Sequence, residues 1–123
     1  MSERTSAEIL LAARARIEPI ERWTQGSSAK DALGHGVRPH SPTAVCWCAY
    51  GSLDLETPYG THAIVAEVLR IFDSAAMELF GEAPHHVNDD LGHAAVLRIY
   101  DRAIALAEQS DPSLALRDGG ANG

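Results

Sequence analysis

The segment His62-Ala-Ile-Val-Ala-Glu-Val-Leu-Arg-Ile-Phe-Asp-Ser-Ala-Ala-Met-Glu-Leu-Phe80 carries the clearest period in the chain. Ile64, Val65, Val68, Ile71, Phe72, Ala75, Ala76 and Leu79 fall on one face at helical spacing. Glu67, Arg70, Asp73, Ser74 and Glu78 fall on the other. Gly81 stands where a helix of this register ends. The spacing predicts an amphipathic helix over 62–80, and a helix with one apolar face must find partners to cover it.

Toward the C-terminus, Asn88-Asp89-Asp90 offers three N-caps to a last helix over 90–109. Leu91, Ala94, Leu97, Ala103, Ile104 and Ala107 supply much of its apolar side. From Ser110 onward Asp, Pro, Gly and Asn dominate, which reads as a flexible tail over 110–123. Toward the N-terminus, Thr57-Pro58-Tyr59-Gly60 reads as a turn with Thr61 as a cap. Ser41-Pro42 reads as an N-cap followed by proline at the first helical position, opening a helix over 42–53. Gly51 inside that helix costs about 1 kcal/mol against alanine, so it marks a close crossing or a ligand approach. Thr5 with Glu8 has capping-box spacing, and Ile9, Leu10, Ala13, Ile17 and Ile20 form a stripe ending near Pro19, giving a helix over 6–18. Between them, Trp23 to Ser41 is a long ordered connection punctuated by Gly26, Gly34, Gly36 and Pro39, with room for a short hairpin around Gly34-His35-Gly36. The expected architecture is all-α: a compact four-helix domain over 1–109, with the long loop joining its first two helices.

A chain of 123 residues has room for one core. That core is lean, because 20 residues are alanine and only seven are aromatic. Seventeen acids stand against ten bases, for a formal charge of −7. Such a surface repels a phosphate backbone and argues against nucleic acid as a partner. The charge is also unevenly placed. Residues 51–90 hold eight acids and Arg70 alone, and the rest of the chain is neutral. This acidic segment around the third helix could face a basic protein partner, although solvated faces account for most charge runs. No stretch approaches a membrane span, and the opening Met-Ser-Glu-Arg-Thr is not a secretory signal, so the expected location is cytoplasmic. Two cysteines, Cys46 and Cys48, are too few and too close for a disulfide framework. No heptad seam is evident, and the oligomeric state stays open.

Three constellations could carry chemistry. On a helix, Cys46 and Cys48 would point about 200° apart and could not share a metal. Cys48 alone could serve as a nucleophile with His93 and with Asn88 or Asp89 orienting the imidazole, as in a cysteine-dependent hydrolase or transferase. Against this, Cys48 lies two turns into its expected helix, beyond the favourable N-terminal field, and a small buried thiol is the plainer reading. The metal-like cluster is His86, Asp89, Asp90 and His93, with imidazole and carboxylate donors inside eight residues; helix capping and solvated histidines are the plainer account of it. The third is Trp23, Gln25, Gly26 and Trp47, with Asn88: two indoles beside an amide and open backbone could hold a small ligand, or simply plug the long loop onto the body. Nothing in the sequence calls for a cofactor.

These segments together resemble a family of short bacterial and phage proteins, a domain of unknown function. The resemblance runs through Ile17-Glu18-Pro19, Trp23-Thr24-Gln25-Gly26 and Ala29-Lys30-Asp31. It continues in Ala44-Val45-Cys46-Trp47-Cys48-Ala49-Tyr50-Gly51-Ser52-Leu53, then Asn88-Asp89, His93 and Asp101-Arg102-Ala103-Ile104. Two departures stand out: Val87 where such proteins usually have tryptophan, and Asp90-Leu91-Gly92 in place of a longer Pro-Gly-Arg-Thr stretch. The resemblance implies a helical fold and draws attention to Trp23, Gln25, Gly26, Trp47, Cys48, Asn88 and Asp89. It implies no activity. From the residues, the expected function is a small ligand- or protein-binding accessory module, with the Cys48 enzyme as the alternative.

Overall fold

The structure is a computed structural model, and it describes residues 4–57 and 62–110. The turn expected at Thr57-Pro58-Tyr59-Gly60, the Thr61 cap and the tail beyond 110 therefore lie wholly or mostly outside the described residues. Helix α1 (Ser6–Ile17) opens on the full capping box: Thr5 accepts from the Glu8 amide, and the Glu8 carboxylate accepts from the Thr5 amide. It buries Ile9, Leu10, Ala13 and Ile17, the expected stripe. Ile20 leaves that stripe and is exposed, because Pro19 diverts the chain into a single 3-10 turn, Ile20–Arg22.

The long connection then folds into a small sheet. Strands β1 (Ala29–Lys30), β2 (Gly36–Val37) and β3 (Cys46–Trp47) pair in the order β2-β1-β3, antiparallel throughout. The β1–β2 hairpin turns at Gly34 (φ 86°), where the Asp31 carboxylate accepts from the Leu33 and His35 amides. These bonds hold Asp31 below the usual carboxylate range. The expectation of an all-α domain is corrected accordingly: the protein is mostly helical with a small sheet.

Helix α2 is Ala49–Glu56, not 42–53. Ser41 does cap a turn, accepting from Thr43, but the chain does not continue helically. Val45 donates to the Lys30 carbonyl, and Trp47 accepts from Thr24, so sheet pairing takes these backbone groups first. Cys48 thereby becomes the N-cap itself, its sulfur accepting from the Gly51 amide at 3.3 Å. Both cysteines are free.

Helix α3 (His62–Phe80) fits its expected register: Val68, Ile71, Phe72, Ala75 and Ala76 are buried, and Glu67, Arg70, Asp73, Ser74 and Glu78 are exposed. The expected last helix over 90–109 forms from His93 to Ser110, and a short further helix that the sequence pattern does not announce precedes it. Helix α4 (Pro84–Asp90) starts on proline at its first position, and α5 (His93–Ser110) follows after Gly92 at φ 99°. Asn88, Asp89 and Asp90 thus close α4 and do not cap α5. Leu91 and Ala94 are exposed and Leu97 is half-buried, while α5 buries the expected Ala103, Ile104 and Ala107 together with Val96, Ile99 and Tyr100. There are accordingly five α-helices among the described residues, where four are expected.

The core sits where α3 packs on α5 and α1 packs on α2 and α5. Phe72 lies 4.6 Å from Tyr100 between ring centroids and 5.8 Å from Tyr50, edge-on. Tyr100 is fully buried, and its hydroxyl donates to the Ala49 carbonyl at 2.7 Å, fastening the first turn of α2 to α5. Burial holds that phenol well above its usual pKa.

Candidate functional site

Helix α4 carries the residues that organise the site. Its buried face points Asn88 inward, where the side chain is 1% exposed. The Asn88 Oδ1 accepts from the Trp23 indole at 2.7 Å and from the Ala49 amide at 3.0 Å. Its Nδ2 donates to the Thr24 carbonyl at 3.0 Å and to Asp89 Oδ1 at 3.2 Å. Every donor and acceptor of this amide is therefore matched inside the protein. Gln25 Nε2 donates to the carbonyls of Asn88 and Asp89, which a helix end otherwise leaves without partners. The Gly26 amide donates to Asp89 Oδ1 at 3.1 Å, with Gly26 at φ 81°. Trp47 donates to the Pro39 carbonyl at 3.0 Å, and its ring lies under the Arg16 guanidinium.

These bonds lash the loop over 23–28 across the start of α2 and the end of α4. They also leave a space. A cavity of about 280 Å³ is lined by Gly26, Ser27, Ser28, Cys48, Tyr50, His85, Asn88 and Asp89. Of the residues singled out from the sequence, the structure brings Gly26, Cys48, Asn88 and Asp89 together at this cavity. Trp23, Gln25 and Trp47 do not line it: Trp23 and Gln25 bond to Asn88 and Asp89, which do, and Trp47 bonds to Pro39. Gly51 explains itself here: a Cβ on it would meet the Ser28 carbonyl at 1.9 Å, so the close approach is by the loop backbone.

His93 is placed elsewhere. Its Nε2 meets the Ile17 carbonyl at 2.7 Å, and its ring packs 5.4 Å from Trp23. Cys48 forms no hydrogen bond to an imidazole among the described residues. The imidazole at the cavity is His85, whose ring lies 6.2 Å from Tyr50. Burial pushes the Cys48 thiol up, and the nearby Asp89 charge adds to this, outweighing the bonds from the helix amides. Cys48 thus sits at a helix N-terminus and is nonetheless held as a thiol. Tyr50 is likewise raised by burial and by donating to Asp73 at 2.5 Å.

The metal-like cluster is rearranged in the same way. One turn of α4 separates His86 from Asp90, and with Glu82 they place three potential donor atoms within 4.8 Å of one another, on an open surface. Asp89 and His93 face other partners, so the expected four-residue set does not converge. Along α3, Glu67 accepts from Ser6, Asp73 from Tyr50 and Glu78 from Arg102, so part of the acidic face is already engaged.

Sequence reasoning missed His85, Tyr50, Ser27 and Ser28. One signal could have found His85: Pro84 at a first helical position starts a helix there, and spacing then sets His85, Asn88 and Asp89 on adjoining faces. No signal in the sequence places Ser27 and Ser28 beside Cys48.

No helix among the described residues is long and apolar enough to cross a membrane. No curated protein and no solved structure matches the chain. The family described as "Family of unknown function (DUF6197)" matches residues 1–106, taking in the loop, all three strands, Cys48 and the whole of α4. The chain belongs to that family.

Proposed function

We propose that this protein is a small cytoplasmic binding module whose ligand occupies the cavity between residues 26–28, the start of α2 and α4. The observation that carries the reading is the cavity's lining: Cys48, His85 and Asp89, with Ser27 and Ser28, border one concave space of about 280 Å³. The supporting amides of Gln25 and Asn88 are turned away from it into the protein, so the frame is rigid before any ligand arrives. Cysteine chemistry is the weaker reading. Its nucleophile is held protonated, and its expected base, His93, is fastened to Ile17.

The test uses thermal shift with a panel of small metabolites, followed by Cys48 protection. A ligand of this cavity raises the melting temperature of the wild type, slows alkylation of Cys48 and loses affinity in His85→Ala, which removes an exposed side chain. A ligand that stabilises the protein equally after Cys48 has been capped with a bulky maleimide overturns the assignment of this cavity.

A further inference from the structure

A second concave surface adjoins the first. Ser27, Ser28, Gly36, Val37 and Arg38 line an open cavity of about 340 Å³. Ser27 and Ser28 line both spaces, so this dipeptide is the wall they share. The Ser27 hydroxyl lies over β2, where a Cβ on Gly36 would come within 2.9 Å of it.

The polar side chains around this second cavity are open to solvent: Ser27 is half-buried, and Ser28 and Arg38 are exposed. Among the described residues, neither the Ser27 nor the Ser28 hydroxyl has a hydrogen-bond partner, and the Arg38 guanidinium has no carboxylate. Arg4, Arg14, Arg16 and Arg102 pair with acids, whereas among the described residues Arg22, Arg70 and Arg98 share with Arg38 the lack of a carboxylate partner. A guanidinium and two hydroxyls are the donor types that bind an oxyanion such as a phosphate or carboxylate. The first cavity has the opposite character. Asp89 Oδ1 is engaged by Gly26 and Asn88, which leaves the other carboxylate oxygen as an acceptor, and its charge repels a second anion.

We infer that the ligand is amphoteric: a small molecule with one oxyanion held by Arg38, Ser27 and Ser28, and an amine or similar donor reaching Asp89 across the Ser27–Ser28 wall. This rests on the binding reading above and names the class of ligand.

The experiment is an amide NMR titration of the full chain at constant ionic strength. The probes are inorganic phosphate, acetate and aminoalkyl phosphates of increasing length, with chloride as the reference. Inorganic phosphate is expected to move residues 27, 28 and 36–38 saturably, with millimolar affinity that falls at least about tenfold in Arg38→Gln and is unchanged in Arg22→Gln. An aminoalkyl phosphate of suitable length binds at least about tenfold tighter than phosphate, also moves Cys48, His85 and Asp89, and loses that gain in Asp89→Asn. Acetate separates the two anions, because a phosphate site prefers the dianion and a carboxylate site does not.

Shifts that persist in Arg38→Gln, or no gain from the amine at any length, overturn the inference. If the Arg38 end is silent while other ligands still perturb Cys48 and His85, the inference alone fails. If Cys48, His85 and Asp89 stay silent with every probe and metabolite, the binding reading fails while the phosphate arm still reports on Arg38.

Discussion

The indole nitrogen of Trp23 lies 2.7 Å from the side-chain oxygen of Asn88, 65 residues away in the chain. Through that one amide the loop, the first turn of α2 and the last turn of α4 become a single unit. In Asn88→Ala the Trp23 indole, the Ala49 amide and the Thr24 carbonyl all lose a partner in or near the core. The expected loss is about 3 kcal/mol, since each unmatched buried group costs on the order of 1–3 kcal/mol and water reaches some of them. Chemical denaturation with an unchanged m-value checks this. Asn88→Asp is expected to be destabilising too, because it sets a carboxylate against the Thr24 carbonyl and Asp89.

Gly51→Ala isolates the close approach of the loop. Alanine gains about 1 kcal/mol in helix propensity, but its Cβ would fall 1.9 Å from the Ser28 carbonyl. Backbone must move, and the variant is expected to be less stable by at least about 2 kcal/mol. Amide shifts concentrated at residues 26–28 and 48–50 would locate the displacement, and a stabilised variant would contradict the packing described.

Glu56 sets a pH dependence. Burial alone would raise its carboxyl, but hydrogen bonds and charges from Arg16 and Arg4 outweigh that and hold it below the usual 4.5. A depressed pKa in the folded state means the native protein binds this proton less readily than the unfolded chain. Its contribution is therefore complete above about pH 4.5 and fades as the pH falls through the lower, folded value. Comparing wild type with Glu56→Gln, the stability gap is expected to be widest near neutrality and to close below pH 4.5.

Cys48 is expected to react slowly. In a Cys46→Ser background, the alkylation rate should keep rising with pH past the ordinary thiol value of 9.0, and the midpoint should move down in Asp89→Asn. A rate that plateaus near neutral pH would mean an activated thiolate and would bring cysteine chemistry back into consideration.

The α1 capping box and the α3 face were legible because both are local. Thr5 and Glu8 are three residues apart, and the α3 stripe repeats within one helix, so short-range geometry suffices. The other two expected helices start later than their local signals indicate, for one reason. Ser41-Pro42 and Asn88-Asp89-Asp90 are strong local start signals, yet each was overridden by a distant partner. The backbone of 45–47 pairs with residues 24–30, and Asn88 is drawn inward by Trp23, Thr24 and Ala49.

The candidate site divides along the same line. The residue types were visible in advance: Cys48, Asp89, Gly26 and Asn88 were all singled out from the sequence. Their roles were not visible, because an amide or an indole reads the same whether it faces a ligand or a carbonyl. The sequence by itself determined the helical character, the capped first helix, the amphipathic third helix and the acidic segment around it, all set by neighbours within a turn or two. Only the tertiary structure decided that Cys48 begins a helix, that His85 and not His93 is its neighbour across a cavity, and that Trp23 and Asn88 satisfy each other. Those facts depend on buried polar groups finding partners some 40 to 65 residues away, and desolvation makes that matching compulsory without marking it in the local sequence.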